Sequence, residues 1–266
     1  MSTADVTSGA DGPPRKSRGL QRFGTIIVIG GGCYGSYYVR QLHRAERAGA
    51  LAWNEVLVVD RDPACPVSHL AARERPPALR LVTAEWGAFL QQYLPTASAT
   101  ANDAIVPSPL MPHLLAQWIV TRATDRWPQR RVQVQPISSV AGVPWQQDGA
   151  DATRYVSFAE WMCPINCIEP EKCPHTRGPR DWSMPVTLAR HGAHERSHGR
   201  RVDGPHVFRC LHRSHGVGMI DVSEVLAADG AMAAHSGVED FEFLVGTASH
   251  CHGALLRVQV GGSSGN

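Results

Sequence analysis

Two apolar runs near the start of the chain read as buried strands. Thr25-Ile26-Ile27-Val28-Ile29 and Glu55-Val56-Leu57-Val58-Val59 lack polar alternation, the pattern of strands covered on both faces. Between them, the stretch from Cys33 to about Ala48 reads as a helix, and Leu79-Arg80-Leu81-Val82 reads as a third strand. Trp86, Phe89, Leu90 and Tyr93 fall at helical spacing and predict a helix whose aromatic stripe packs into the core. Asp103-Ala104-Ile105-Val106 is a fourth short strand, ended by Pro107-Ser108-Pro109. The next helix carries Leu114, Leu115, Trp118 and Ile119 on one face and stops at Pro128. Arg131-Val132-Gln133-Val134 then gives a fifth strand. Strands alternating with helices in this way predict a parallel sheet with helices on both faces. Ligands in such sheets bind beyond the carboxyl ends of the strands, which makes Pro107 and Ser108 either neighbours of a ligand or a plain turn.

Past residue 142 glycine, proline, tryptophan, cysteine and histidine thicken, and clear periodicity fades until about Pro205. A stretch this long without regular structure is usually functional or disordered, and its apolar and aromatic points favour a functional segment. His191 to Arg201 reads as an exposed linker. Order returns with Val207-Phe208-Arg209-Cys210 and a helix through Ile220, Val222, Val225 and Leu226, while Phe241–Val245 and Leu255–Val260 are apolar runs able to close the sheet.

The junction of the first strand and first helix carries the chemistry. Gly30-Gly31-Gly32-Cys33-Tyr34-Gly35 sets a G-x-G-x-x-G motif between a strand and a helix. Gly30 permits the tight turn, Gly32 leaves room for a pyrophosphate, and Gly35 lets the helix pack closely on the strand. The phosphates of a dinucleotide would then meet unpaired amides at the helix start. Asp60 ends the second strand, where a carboxylate accepts hydrogen bonds from an adenosine ribose. That acid favours NAD over NADP, although Arg61 beside it offers a partner for a 2′-phosphate. The expected cofactor contacts are therefore Gly30, Gly31, Gly32, Cys33, Tyr34, Gly35, Asp60 and Arg61.

Residues 24 to 62 resemble the N-terminal half of Rossmann-type NAD(P)-binding domains, and the pattern extends to about residue 135. The resemblance implies an α/β fold: a Rossmann-like doubly wound parallel sheet, here joined to an irregular Cys/His-rich insertion and C-terminal region. The triple glycine also resembles the first motif of many FAD enzymes, but no late flavin-domain signature follows it. The expected organisation is a disordered tail at 1–22, a dinucleotide-binding domain at 23–142, a Cys/Pro-rich metal-binding segment and linker at 143–205, a C-terminal α/β region at 206–260 that completes the fold, and a flexible tail at 261–266.

Composition removes several classes. The 266 residues include 26 basic and 24 acidic side chains, a balance that gives no case for nucleic acid or an acidic membrane surface. Lys16 and Lys172 are the only lysines, so no G-x-x-x-x-G-K-[ST] phosphate loop exists, nor a tyrosine followed four residues later by lysine. No run of eighteen apolar residues is present to span a bilayer, and the expected location is the cytoplasm. Seven cysteines, an odd number and partly clustered, point to metal or redox chemistry ahead of a disulfide framework.

Three of those cysteines, Cys163, Cys167 and Cys173, lie within eleven residues, with prolines after the first and last to stiffen the loop. Three local thiolates need a fourth ligand, for which Cys210, His175 and Cys251 are the candidates. Zinc would take Cys163, Cys167, Cys173 and His175 as a closed site. An iron–sulfur cluster would prefer Cys163, Cys167, Cys173 and Cys210. Of the thirteen histidines, ten follow residue 170; His212 with His215 and His250 with His252 form two compact groups suited to metal binding or proton transfer. The expected function is an NAD-dependent oxidoreductase or redox protein with a cysteine-ligated iron–sulfur or zinc centre, acting on a small-molecule substrate or a redox partner protein. The alternative is a non-catalytic NAD sensor or accessory subunit with a structural zinc site.

Overall fold

A computed structural model describes residues 19–96, 102–161, 163–164, 167–238 and 240–263. Most of the tail expected at 1–22, and positions 264–266 of the one at 261–266, lie outside the described residues, as do Ile165 and Asn166 of the cysteine segment. Both tail boundaries shift outward toward the chain ends, because Gln21 and Arg22 already belong to the first strand and residues 261–263 to the last.

Among the described residues the chain forms twelve strands and five α-helices. The first half runs β1 (Gln21–Ile29), α1 (Cys33–Arg47), β2 (Leu51–Asp60), β3 (Leu79–Thr83), α2 (Trp86–Tyr93), β4 (Ala104–Val106), α3 (Leu114–Arg126) and β5 (Arg130–Gln135). The second runs β6 (Trp145–Asp148), β7 (Arg154–Ser157), α4 (Met184–Ser197), β8 (Val202–Arg209), β9 (Leu211–Ser214), β10 (Val217–Asp221), α5 (Val222–Ala233), β11 (Phe241–Ala248) and β12 (His252–Ser263). The fold is α/β with two mixed sheets.

The first sheet has the order β3-β2-β1-β4-β10-β9. Its first four strands are parallel to one another, while β10 and β9 are added antiparallel. Successive side chains of β1 leave by opposite faces. Ile26 and Val28 pack with Val39, Leu42 and Ala45 of α1, and Ile27 and Ile29 pack with α2, α3 and α5. Both faces are covered, which is why no polar residue alternates in this strand. The stripe Gly35, Val39, Leu42 and Ala45 on α1 is fully buried, and truncating a side chain such as Leu42 to alanine would cost about 2–5 kcal/mol.

The second sheet has the order β6-β7-β12-β11-β8, with β5 also paired to β12. Here the expected topology is corrected. The Arg131–Val134 strand does not extend the parallel sheet but pairs antiparallel with β12, Val132 opposite Val260 and Val134 opposite Val258. Its alternation of valine with Arg131, Gln133 and Gln135 suits a strand with one apolar face, unlike the unbroken apolar runs of β1 and β2. Likewise β11 and β12 build the second sheet and do not close the first, and Ile220 belongs to the strand β10 and not to α5, which begins at Val222.

A single apolar core joins the sheets. Ile105 of the first, Trp118 and Ile119 of α3, Val225 of α5, and Phe243, Leu256 and Val258 of the second all belong to one buried cluster. The layers are thus α1, first sheet, α2 with α3 and α5, second sheet, and α4. The segment read as an exposed linker from His191 to Arg201 is largely helix: α4 buries Met184, Leu188, His191, Gly192 and Glu195 on one stripe. Two of those positions are polar, so hydropathy hides the periodicity. Glu195 is tolerated there because its carboxylate meets the equally buried Arg257 at 2.5 Å and accepts from the Ser138 hydroxyl at 2.8 Å. No helix among the described residues is long and apolar enough to cross a membrane.

Candidate functional site

The glycine turn lies at the carboxyl end of β1, between β2 and β4. Gly30 adopts φ +92°, a conformation open to glycine, and its N–H donates to Val59 O at 2.8 Å. A Cβ on Gly35 would fall 1.9 Å from Gly30 O, so only hydrogen allows α1 to approach the turn this closely. A Cβ on Gly31 would fall 2.3 Å from the Sγ of buried Cys65. At Gly32, by contrast, a Cβ would meet nothing within 4 Å. That open side faces the start of α1, where Gly32 is the N-cap and no side chain caps the helix amides.

Asp60 closes the turn from β2. Its Oδ2 accepts from Gly31 N–H at 2.6 Å and its Oδ1 from Asp62 N–H at 2.9 Å, so the carboxylate is held beside the glycines. Arg61 and Cys33 are exposed, and Tyr34 is half-buried at the entrance to the helix. Pro107 and the buried Ser108 follow β4 on the same edge, with the Ser108 hydroxyl accepting from Leu110 N–H at 3.3 Å. The structure therefore gathers the glycine turn and Asp60 into one place.

A second feature was not legible in the sequence: a cleft of about 2380 Å³ bounded by the outer side of the cysteine segment, α4, β9 with its turn to Gly216, and the end of β11. None of the glycine-turn residues lines it. Glu169 stands in its wall with φ +52°, a backbone state that non-glycine residues adopt at a cost. Both its carboxylate oxygens accept from His250 N–H, at 3.1 and 3.2 Å, and its Oε2 lies 3.8 Å from His212 Nε2. Burial holds His250 and His191, also in the wall, below the usual imidazole range.

The cysteines divide into two groups. Cys210 leads from β8 into β9 and packs against Gly218 of β10, and the charges acting on it are those of Glu169 and Arg213. Burial pushes its thiol up to about 12. Cys163 is raised by burial and by the thiols of Cys167 and Cys173. Cys173, itself 3% exposed, is raised by burial but pulled down further by the backbone amides of Thr176 and His175, so that the balance is a lowered value. His175 stacks on Trp161 with ring centroids 4.2 Å apart. The fourth position expected from Cys210 is thus not brought to the other three. Nor is any group of three or more His, Cys, Asp or Glu among the described residues placed to hold a metal ion. The expected pairing of His250 and His252 on one strand face also changes, since His250 precedes β12 while His252 opens it and shares a 2.9 Å hydrogen bond with the Ser157 hydroxyl.

Residues 115–261 match the family model AF_1314_C, described as "Uncharacterized protein, C-terminal domain". This chain belongs to the AF_1314_C family. No curated protein and no solved structure matches it. The AF_1314_C region begins one residue inside α3 and ends inside β12, so it holds the cleft and all of the clustered cysteines but not the glycine turn. It also contains β9 and β10, the strands that complete the first sheet.

Proposed function

We propose that this AF_1314_C protein binds an adenine dinucleotide, NAD in preference to NADP, and works as an oxidoreductase or redox protein in the cytoplasm. In this reading β1 to β4 and α1 form a Rossmann-type unit. The observation that carries it is the parallel order β3-β2-β1-β4 with the glycine turn between β1 and α1 and Asp60 fastened to that turn by Gly31 N–H. The open space at Gly32 and the uncapped first turn of α1 fit a diphosphate. Asp60 would receive the ribose hydroxyls and repel a 2′-phosphate. The dinucleotide supplies hydride chemistry, and the cleft would receive a small-molecule substrate or a redox partner. All seven cysteines are free, which fits a reducing compartment, and a cysteine-ligated centre belongs to the same reading.

Fluorescence titration of the full chain with NADH tests it. Saturable binding that weakens in Asp60→Ala is the expected result, and no binding of NADH, NADPH or their oxidised forms removes the reading. A second reading, a sensor that binds the dinucleotide without turnover, draws support from the separation of the cleft from the glycine turn. Dye-coupled NADH oxidation separates the two, since a sensor binds NADH and leaves it unoxidised.

A further inference from the structure

The glycine turn and the cleft, separate as they are, share one rim of the first sheet. Val28 of β1 is level with Val106 of β4, Ile105 of β4 with Ile220 of β10, and Gly218 of β10 with His212 of β9. Because β10 runs antiparallel to β4, Gly218 lies two residues nearer the carboxyl ends of the parallel strands than Ile220 does. His212 and the turn to Gly216 therefore stand on the rim that carries the glycine turn, three strand spacings or about 14 Å from β1. Asp60, on β2, draws the adenosine half of a dinucleotide to the other side of the glycines. The nicotinamide half then runs over β4 toward β10 and β9, where the cleft opens.

At that place two side chains are set for proton transfer. His212 Nδ1 lies 3.2 Å from Gly216 O, and a carbonyl only accepts, so Nδ1 carries the hydrogen and the lone pair of a neutral ring is on Nε2. The turn is bent to supply that carbonyl, with His215 at φ +48° and Gly216 at φ +76°. Nε2 makes no hydrogen bond among the described residues and faces Glu169 Oε2 across 3.8 Å, a gap too long for one. Glu169 is fixed in turn by His250 N–H on both its oxygens. The side chains of His212 and Glu169 are only 18% and 13% exposed, so a charge on either acts through little water. Around them burial favours the neutral forms of Cys210, Cys251, His250 and His252. Arg213 is engaged by Asp221 at 2.5 Å, Arg180 donates to Pro170 O, and His215 is exposed.

We propose that His212 is the acid–base residue of the cleft and Glu169 its positioning partner, with a substrate hydroxyl or carbonyl held between Nε2 and the nicotinamide. The inference deepens the oxidoreductase reading and rests on it. In the oxidising direction the hydroxyl proton passes to Nε2 and from there to water. The hydrogen on the same carbon leaves with both bonding electrons to the oxidised dinucleotide, and the C–O bond becomes a carbonyl. Glu169 stabilises the imidazolium so formed, and the Gly216 carbonyl keeps the ring turned so that Nε2, not Nδ1, meets the substrate. The substrate class is thus an alcohol and its aldehyde or ketone.

Competition of NAD against NADH fluorescence, on the full chain from about pH 5 to about pH 8, tests the assignment without a substrate. Oxidised nicotinamide is a cation and reduced nicotinamide is neutral, so a protonated His212 repels NAD alone. Groups beside the adenosine and the diphosphate act on both forms alike and cancel in the ratio of the two Kd values. A unit charge about 6 Å away changes that ratio about threefold even at the dielectric constant of water, and more in a site this withdrawn. In the wild type NAD should therefore gain on NADH by about threefold or more as pH rises through the imidazole range. His212→Asn flattens the profile, His215→Asn leaves it, and Glu169→Gln moves its midpoint to lower pH because the imidazolium loses its carboxylate. Glu169→Gln carries the test if His212→Asn does not fold. NADH binding with a ratio independent of pH overturns this proposal and leaves the earlier reading standing. So does a profile that survives His212→Asn or is lost in His215→Asn, or an unmoved midpoint in Glu169→Gln. Absence of NADH binding removes the earlier reading, and this proposal with it.

Discussion

Two glycines three residues apart should respond oppositely to the same added methyl group. At Gly35 a Cβ would sit 1.9 Å from Gly30 O and 2.9 Å from Gly30 C. Both atoms are backbone, so relief requires prising the first turn of α1 away from β1. Overpacking of this kind costs about 1–3 kcal/mol or more. At Gly32 a Cβ meets nothing within 4 Å and φ is −71°, so alanine is sterically free. It gains from a less flexible unfolded chain what it loses as a poorer N-cap, each term about 0.5–1 kcal/mol. The melting temperature should therefore fall by roughly 2–4 °C per kcal/mol in Gly35→Ala and move by less than about 3 °C in Gly32→Ala.

Dinucleotide reverses the ranking of interest. Ligand at about a hundredfold over its Kd stabilises a native protein by about 2.7 kcal/mol, or roughly 5–11 °C in a chain near this size. If the diphosphate approaches the open side of Gly32, its alanine variant should fold like the wild type yet lose most of that shift. Differential scanning calorimetry with and without NAD, paired with NADH fluorescence titration, measures both quantities. A Gly32→Ala protein that is normally stable and keeps the full shift would refute the placement of the phosphates.

Asp60→Ala should weaken NADH by about ten- to a hundredfold, the loss of charge-assisted hydrogen bonds worth about 1.5–3 kcal/mol, and should narrow the preference over NADPH in the same titration. Asp103 is buried and accepts from Thr25 N–H and Tyr93 O–H at 2.8 Å each; urea denaturation of Asp103→Ala should show a loss of about 1–3 kcal/mol as both donors lose this acceptor. Removing the Glu195 charge leaves the buried Arg257 facing the more distant carboxylate of Glu242 at 3.8 Å, so Glu195→Gln should cost about 3 kcal/mol at neutral pH in the same assay. The carboxyl of Glu195 is pushed up by burial but held below its ordinary value by Ser138 and Arg257. Its contribution is thus complete above the unfolded value of 4.5 and lost as pH falls through the folded one. His191, His250 and His252 are lowered by burial from 6.5, so stability measured by urea should already begin to decline as pH drops below about 6.5, by up to about 1.4 kcal/mol per unit for each proton the unfolded chain takes up.

The half of the fold that the sequence discloses is the half whose instructions are local. Ile26 to Ile29, the glycines and the stripe from Gly35 to Ala45 specify strand, turn and helix within thirty residues, and Asp60 needs only the adjacent parallel strand to reach Gly31. Elsewhere the deciding contact is remote. The helical stripe of α4 contains Glu195, which looks like a solvent residue until Arg257, 62 positions later, neutralises it. The valines of β5 state that the strand has one apolar face, but nothing near them states that the face belongs to β12.

The cysteines obey the same logic at the level of chemistry. Spacing alone recommends Cys210 as readily as Cys251, because both lie in connections between strands and both follow the cysteine segment in the chain. Their surroundings separate them: Cys210 turns toward Gly218 and the charges of Glu169 and Arg213, whereas Cys251 takes an indole N–H and shares Arg180 with the other thiols. Where each thiol is placed depends on the strand connection that carries it, and those connections are set by the pairing of β11 with β12 and of β8 with β11. Long-range sheet register thus decides what surrounds each thiol, so a substitution that slips β12 by one residue should move Cys251 away from the Trp182 indole.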